Sequence, residues 1–168
     1  MADLNVSGQR ELRDLARALR AQEDGQARRK QLVKELRGAA RPLVPAIRTA
    51  IKSLPSQGES KRRGRRPLKR SLSSSVTISV RLTGRSAGVS VFMNPRKLPD
   101  GQKSLAMYME GVPGYLLLRH PLFGDREHWF AQGSHAGYFT RSIAGAEQAA
   151  AHRVAGVIET TAREIESS

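Results

Sequence analysis

Three histidines of this chain lie close enough in sequence to be considered as metal ligands. His120, His128 and His135 are seven or eight residues apart, and three histidines form the ligand set of some zinc sites. Their spacing is neither HxH nor HExxH, so it does not preorganise a pair of imidazoles. Histidines beside proline and tryptophan more often pack or cap a turn. We therefore expect no metal site and no metal cofactor.

A second group has the residue types of a hydrolase triad. Ser134 and His135 are adjacent, and Asp125 lies nearby. Neighbouring residues in a glycine-flanked loop rarely present nucleophile and base to each other. The chain also contains neither the P-loop spacing nor GxGxxG after a strand. The sequence thus predicts no catalytic and no cofactor-binding residues, and an enzyme is a remote alternative.

These groups lie in an aromatic stretch, YLLLRHPLFGDREHWFAQGSHAGYF at 115–139, which holds the only tryptophan. Pro121, Gly124, Gly133 and Gly137 interrupt it, which predicts short turns rather than one regular element. We expect an irregular connection at 119–138 whose rings pack between a sheet and the next helix, and we favour this role over a base-stacking platform. The expected structural anchors are Arg119, His120, Pro121, Phe123, Trp129, Phe130, Tyr138 and Phe139.

Positive charge is concentrated in the first half of the chain. Residues 1–70 contain 19 Lys and Arg against 7 Asp and Glu, whereas residues 71–168 contain 10 against 8. Such asymmetry indicates contact with a polyanion, either nucleic acid or an acidic protein surface. An Arg-rich chain with solvated helix faces is the alternative.

The densest charge lies in SQGESKRRGRRPLKR at residues 56–70. This segment has too little apolar surface to offset the entropy of ordering, so we expect a mobile basic arm. It either orders on a partner or remains a solvated loop. No standard recognition helix or interleaved aromatic residue accompanies it, so any DNA contact should be non-specific. The expected partner-contact or DNA-contact residues are Lys61, Arg62, Arg63, Arg65, Arg66, Lys69 and Arg70.

The elements around the arm predict an α+β fold. In the N-terminal region, 1–55, a short edge strand at 2–6 precedes a helix capped by Ser7, and apolar residues at helical spacing predict helices over 9–22 and 26–53. Pro42 and Pro45 predict a kink in the second helix near Arg41. Alternating residues in 76–82 and 87–93 predict an antiparallel hairpin within a sheet region, 71–118, in which 115–118 is a possible third strand.

A long amphipathic helix is predicted over 139–166, where apolar residues follow a three-then-four spacing. We expect one domain, 1–168, in which a small antiparallel sheet is packed by the kinked N-terminal helical region and this C-terminal helix. Part of the helix could reach another subunit. The chain lacks cysteine, a long apolar span and a signal-peptide pattern, so we expect a soluble protein made in the cytoplasm, without membrane contact.

The order of these parts resembles the tail-completion, or head-to-tail joining, proteins of long-tailed bacteriophages, in the form found in phages of actinobacterial hosts. The resemblance covers about residues 4–165. Its most specific part is RHPLFG at 119–124, followed by Trp129 and by GYF at 137–139. The family's Thr-Gly-Leu signature near the basic loop corresponds only loosely to Pro67-Leu68-Lys69.

The resemblance implies a structural protein of the virion neck, assembled in the host cytoplasm and without catalytic residues. Its implied partners are further copies of itself in a ring, commonly six-fold, a neighbouring stopper, tail terminator or tail tube, and the genomic DNA that passes through the channel. A non-specific nucleic-acid-binding protein that uses the basic N-terminal half is the alternative.

Overall fold

The computed structural model describes residues 8–54, 68–111, 117–122, 125–133 and 137–167. The α+β fold class is confirmed. The helices are α1 (Gln9–Ala21), α2 (Gly25–Ala40), α3 (Leu43–Ser53), α4 (Leu68–Ser75), α5 (Leu105–Glu110), α6 (Tyr138–Ile143) and α7 (Ala146–Glu166). The strands are β1 (Val76–Arg81), β2 (Gly88–Met93), β3 (Leu117–Leu122) and β4 (Asp125–Gly133).

These elements divide into two compact units, each assembled from separate parts of the chain. The described residues of the first unit belong to 46–76 and 93–143, and those of the second belong to 8–45, 77–92 and 144–167. The chain therefore changes unit within α3, at the start of β1, at the end of β2 and between α6 and α7.

The second unit is built around α1, α2 and α7, which pack on one another. The residues predicted to form the apolar face of α1 are buried, namely Leu12, Leu15, Ala16 and Leu19. On α7 the buried positions are Ala150, Val154 and Thr161. The Arg153 Nε of α7 also donates a hydrogen bond to the Ala39 carbonyl oxygen near the end of α2, at 3.2 Å. Buried apolar contacts and this hydrogen bond hold α7 against α2.

The predicted kink in the N-terminal helical region is confirmed. α2 ends at Ala40 and α3 begins at Leu43, because a proline within a helix removes a hydrogen bond and clashes with the preceding turn. The apolar stripe runs through both helices: the buried positions are Leu32, Leu36, Ala39, Leu43, Ile47, Ile51 and Leu54. The break thus interrupts the helix, while apolar residues on both sides of it remain buried.

The predicted hairpin is present as a two-stranded sheet of β1 and β2. Ala87, Val89 and Val91 are buried, as the alternation predicts. On β1 only Val76 is fully buried, while Ile78 and Val80 are half-buried. The alternation gave the correct strands but overestimated how completely one face of β1 is covered.

The aromatic stretch was predicted wrongly as an irregular connection, since its greater part forms a second hairpin. β3 pairs antiparallel with β4, with Leu117 opposite Gly133 and Pro121 opposite Trp129. The register shifts between Pro121 and Leu122. A two-stranded sheet consists of edge strands only, and a proline is tolerated there because one side of each strand needs no ladder hydrogen bond. Pro121 therefore lies at the irregularity of the hairpin, and Gly133 ends β4. Neither residue excludes a strand.

The predicted sheet region, 71–118, is also partly wrong, because residues 71–75 belong to α4. The sequence leaves residues 105–109 open between a helical turn and an extended segment, and they lie in the helix α5. Ser74 and Ser75 of α4 donate their hydroxyl hydrogens to the carbonyl oxygens of Ser71 and Leu72, at 2.9 and 2.7 Å. These bonds satisfy the serines inside a helix, and Leu72 is buried. The serine-rich composition concealed a short helix that leads directly into β1.

The predicted C-terminal helix is broken in two. Gly145 has a φ of 84°, a left-handed conformation that glycine adopts without the cost incurred by other residues. Gly145 lies between the end of α6 and the first residue of α7, so the two helices are separate. Phe139 and Ile143 therefore belong to the first unit, whereas Ala150 and Val154 belong to the second. The continuous three-then-four spacing did not reveal this break.

Candidate nucleic-acid interface

The predicted basic arm lies mostly outside the residues that the structure describes. This holds for Lys61, Arg62, Arg63, Arg65 and Arg66. Lys69 and Arg70, which we assigned to the arm, lie instead in the first turn of α4.

Two hydrogen bonds hold α4 to α3. Lys69 Nζ donates to the Lys52 carbonyl oxygen at 3.1 Å, and Arg48 Nε donates to the Ser73 carbonyl oxygen at 3.3 Å. Lys69 is therefore engaged near the C-terminus of α3, where a cation also meets the favourable end of the helix dipole. Of the seven predicted contact residues, only Arg70 is described as exposed.

A different set of cations forms an ordered surface. Lys30, Lys34, Arg37 and Arg41 are all exposed, and they recur along α2 at intervals of four, three and four residues. At about 100° per residue they fall within an arc of roughly 60°. The Arg41 backbone at the end of α2 is still helical, with φ −54° and ψ −38°. We call these four residues the α2 cationic face.

The α2 cationic face points away from the core. Leu32, Leu36 and Ala39 are buried, and on the same helical wheel they centre on roughly the opposite side of α2. The four cations are thus on the outermost surface of the helix, where long side chains keep their charged groups in water.

The acidic groups near this face bond elsewhere. The only carboxylate within α2 is Glu35, whose Oε1 accepts a hydrogen bond from Gln31 Nε2 at 2.5 Å. Asp24, just before the helix, pairs with Arg28 at 2.8 Å between Oδ2 and Nε. Among the ion pairs within the described ranges, none includes a member of the α2 cationic face. Within the described ranges, its four cations therefore have no direct ion-pair contact with a carboxylate.

A second row of arginines on α1 differs in this respect. Arg10, Arg13, Arg17 and Arg20 are exposed along one side of the helix. However, Arg13 Nε donates to the Gln9 carbonyl oxygen at 3.0 Å, and Arg17 lies 3.6 Å from the Asp14 carboxylate. The α1 row therefore contains cations with local partners, and the α2 cationic face is the stronger candidate for an external anion.

The predicted structural anchors that the structure describes lie on three elements of the first unit. Arg119, His120 and Pro121 lie on β3, and Trp129 and Phe130 lie on β4, with His120 opposite Phe130 in the register. Tyr138 and Phe139 lie on α6 and are buried. Phe123 is outside the described residues, as are Ser134 and His135 of the groups considered for chemistry.

A carboxylate from α5 holds the N-terminus of α6. Glu110 Oε2 accepts from the Phe139 amide at 2.8 Å, and Oε1 accepts from the Thr140 amide at 3.1 Å and from the Thr140 hydroxyl. The Gly137 amide donates to the Glu110 carbonyl oxygen at 2.8 Å. A carboxylate at a helix N-terminus satisfies amides that lack a partner within the helix. Glu110 thus holds in place the first turn of α6, which carries the buried Tyr138 and Phe139.

Tyr138 is the titratable group most affected by this packing. Its hydroxyl donates to Met93 Sδ at 3.0 Å, a weak acceptor. Burial raises the pKa of Tyr138, and the negative charge of Glu110 raises this pKa further. The phenol of Tyr138 therefore remains neutral at neutral pH.

Sequence reasoning missed the two best-defined polar features. The spacing of its four cations makes the α2 cationic face recognisable in the sequence. The contact residues were nevertheless predicted in the basic arm, because the charge density is higher there. The Glu110 cap has no such signal, because Glu110 and Phe139 are 29 residues apart.

The part of the chain that the structure describes contains no group of three or more His, Cys, Asp or Glu residues placed to hold a metal ion. No helix within the same residues has the length and apolar character needed to cross a bilayer. No protein-family model, curated protein or solved structure matches this chain.

Proposed function

We propose that this protein is a structural subunit of a bacteriophage neck. In this role it is a tail-completion or head–tail connector protein that forms a ring joining the DNA-filled head to the tail tube. It has no catalytic residues and no cofactor. Its partners are copies of itself, the neighbouring stopper, tail terminator or tail tube, and the DNA in the channel.

The observation that carries the proposal is the order of elements around the RHPLFG segment. Two basic helices, a proline kink and a hairpin precede it, and α6 with its buried GYF aromatic residues and the long α7 follow it. This order agrees with the resemblance given by the sequence. Residues 119–122 of the RHPLFG segment lie on β3, which pairs with β4, the strand that contains the WFAQG segment.

Oligomeric state tests this proposal. Light scattering coupled to size exclusion, over a range of protein concentrations, should detect a discrete closed assembly, six 18.5-kDa chains being the expected number. Negative-stain micrographs of that fraction should show rings with a central channel. A monomer at all concentrations, with no incorporation into purified tails or heads, would contradict a connector role.

A second candidate is a non-specific nucleic-acid-binding protein. It is favoured by the exposed cations of α1 and α2, which lie in the half of the chain that carries most of the net charge. A chain that remains monomeric and binds DNA with a steep salt dependence would favour this candidate over the connector.

The basic arm provides a functional test of the connector. Reversal of Arg62, Arg63, Arg65 and Arg66 to Glu should block the joining of heads to tails. The melting temperature of the subunit should change little, because we expect the arm to order only on an acidic partner. Joining is measured as the yield of infectious particles from purified heads and tails. An unchanged yield would exclude the arm from the joining contact.

A further inference from the structure

We propose that the α2 cationic face, formed by Lys30, Lys34, Arg37 and Arg41, binds the phosphate backbone of double-stranded DNA without sequence preference. This goes beyond the proposed connector function, because it assigns a DNA contact to a folded surface of the single chain. It requires neither a ring nor the basic arm.

The dimensions of the face match a row of phosphates. Lys30 and Arg41 are separated by eleven helical rises, or about 16 Å along the axis. A duplex carries one phosphate charge for about every 1.7 Å of its axis when both strands are counted, so several phosphates lie within reach of a row of this length. Four cations on one side of a straight helix can therefore each lie near a separate phosphate. Two of them are arginines, which can bind a phosphate through two parallel hydrogen bonds.

The surroundings of the face leave room for a duplex. Its neighbours on the exposed side of α2 include Ala27 and Gly38, both exposed and both small. A Cβ added to Gly38 would meet no atom within 4 Å, so the packing of the subunit does not require glycine there. Because these two side chains are small, they do not project beside the cations or obstruct the approach of a duplex.

The composition of α2 favours a duplex over other polyanions. Non-specific binders of single strands stack bases on aromatic side chains, and α2 contains no aromatic residue. Protein interfaces usually include buried aromatic or apolar anchors beside arginine, whereas the exposed residues of α2 are charged, polar or small and include no large apolar side chain. Phosphate neutralisation requires only cations and accounts for sequence-independent affinity.

The test uses the full chain and a fluorescently labelled random-sequence duplex of about 30 base pairs, with binding measured by anisotropy at a series of salt concentrations. The variant changes Lys30, Lys34, Arg37 and Arg41 to Gln. Glutamine has a helix propensity close to that of Lys and Arg, so α2 should be retained. A matched control changes four other exposed arginines to Gln, namely Arg81, Arg85, Arg96 and Arg163. Both variants lose the same net charge.

The α2 variant should lose at least about tenfold in affinity at low salt, and the slope of log K against log salt should flatten by about 3.6, which is 0.9 for each of the four lost phosphate contacts. The control should flatten the slope by less than about 1. Equal losses in the two variants would overturn the proposal, since binding would then follow net charge alone. Unchanged duplex binding by the α2 variant, together with lost binding to polyglutamate, would also overturn it and identify an acidic protein as the partner.

Circular dichroism and thermal melting of both variants distinguish loss of contact from loss of fold. Should the fourfold variant unfold, Lys34→Gln with Arg37→Gln removes the centre of the face, and the slope should then flatten by about 2. Oligomeric state is measured on the same samples. A variant that assembles normally but loses DNA affinity separates this inference from the connector proposal.

Discussion

At the residue scale, two glycines of α2 have opposite roles. Gly25 begins the helix and is buried, and a Cβ at this position would overlap the Leu19 carbonyl oxygen. Its amide donates to the Gln22 carbonyl oxygen at 3.1 Å, which closes the turn between α1 and α2. Gly38 is exposed, and a Cβ there would meet nothing. The first glycine is required by a close backbone approach, and the second is not required by packing.

We expect Gly25→Ala to lower the free energy of unfolding by about 2 kcal/mol or more, since the overlap involves rigid backbone on both sides. Gly38→Ala is the control and should raise this free energy by about 0.5–1 kcal/mol, because alanine restricts the unfolded chain and favours the helix. Urea denaturation followed by circular dichroism measures both. A harmless Gly25→Ala would show that the turn between α1 and α2 can open.

Tyr138 should make stability depend on alkaline pH. Below about pH 10 the phenol is neutral in both the folded and the unfolded chain. Above that pH the unfolded chain loses the proton while the folded chain retains it, because the folded-state pKa is raised. The free energy of unfolding therefore falls as pH increases.

Tyr138→Phe should cost less than about 1 kcal/mol at neutral pH, because only the weak bond to Met93 Sδ is lost. The difference in stability between the native chain and the variant should shrink above about pH 10 and then change sign. Denaturation curves at neutral and alkaline pH measure it. A difference that stays constant with pH would mean that the Tyr138 phenol reaches solvent.

At the element scale, α6 is too short to be stable by itself and depends on tertiary contacts. It has six residues, and its N-terminal amides are satisfied by Glu110 from α5. The buried side chains of Tyr138 and Phe139 supply the remaining stabilisation. One carboxylate therefore connects the orientation of α6 to that of α5.

Glu110→Ala should lower the free energy of unfolding by about 1–2 kcal/mol, since it leaves the Phe139 and Thr140 amides without their acceptor. Glu110→Gln retains one acceptor oxygen and should cost roughly half as much. Thermal unfolding monitored by near-ultraviolet circular dichroism of the aromatic residues measures both variants. Equal losses for the two would indicate that charge, rather than hydrogen bonding, holds the helix terminus.

Sequence periodicity predicted those elements whose local pattern and tertiary environment agree. The buried leucines of α1 and the strands β1 and β2 were readable from the spacing of apolar residues, and the break near Arg41 was readable from Pro42 and Pro45. The break at Gly145 was not predicted, because the apolar spacing continues across it and a glycine in a helical pattern does not by itself reveal a left-handed conformation. The β3–β4 hairpin was missed because proline and glycine were read as breakers, although edge strands tolerate them. The α2 cationic face could have been predicted from the spacing of its cations, whereas the Glu110 cap could not, because its partners are distant in sequence.

At the scale of the whole molecule, each unit is discontinuous in sequence. The second unit combines α1 and α2 from the beginning of the described chain with the hairpin of β1 and β2 and with α7. No single cut in the sequence therefore releases a complete unit. Deletion of any one of these segments therefore removes part of the core of a unit.

Truncation after Gly145 should abolish cooperative folding of the second unit, because α7 provides the surface on which α1 and α2 pack. The shortened chain should show reduced helix content by circular dichroism and rapid proteolysis within α1 and α2. Addition of a synthetic peptide of residues 146–167 in trans should restore protection. Persistent protection without the peptide would show that α1 and α2 form a stable pair by themselves.

The packing of α7 on α2 also determines when the chain can fold during synthesis. Arg153 meets the Ala39 carbonyl oxygen across 114 positions of sequence, and contacts of such separation form slowly because a long loop must close first. On the ribosome, α1 and α2 emerge well before α7. Until translation reaches α7, their leucine faces lack the helix that covers them and are open to chaperones or to aggregation. Folding of the second unit therefore cannot be completed until α7 has been synthesised.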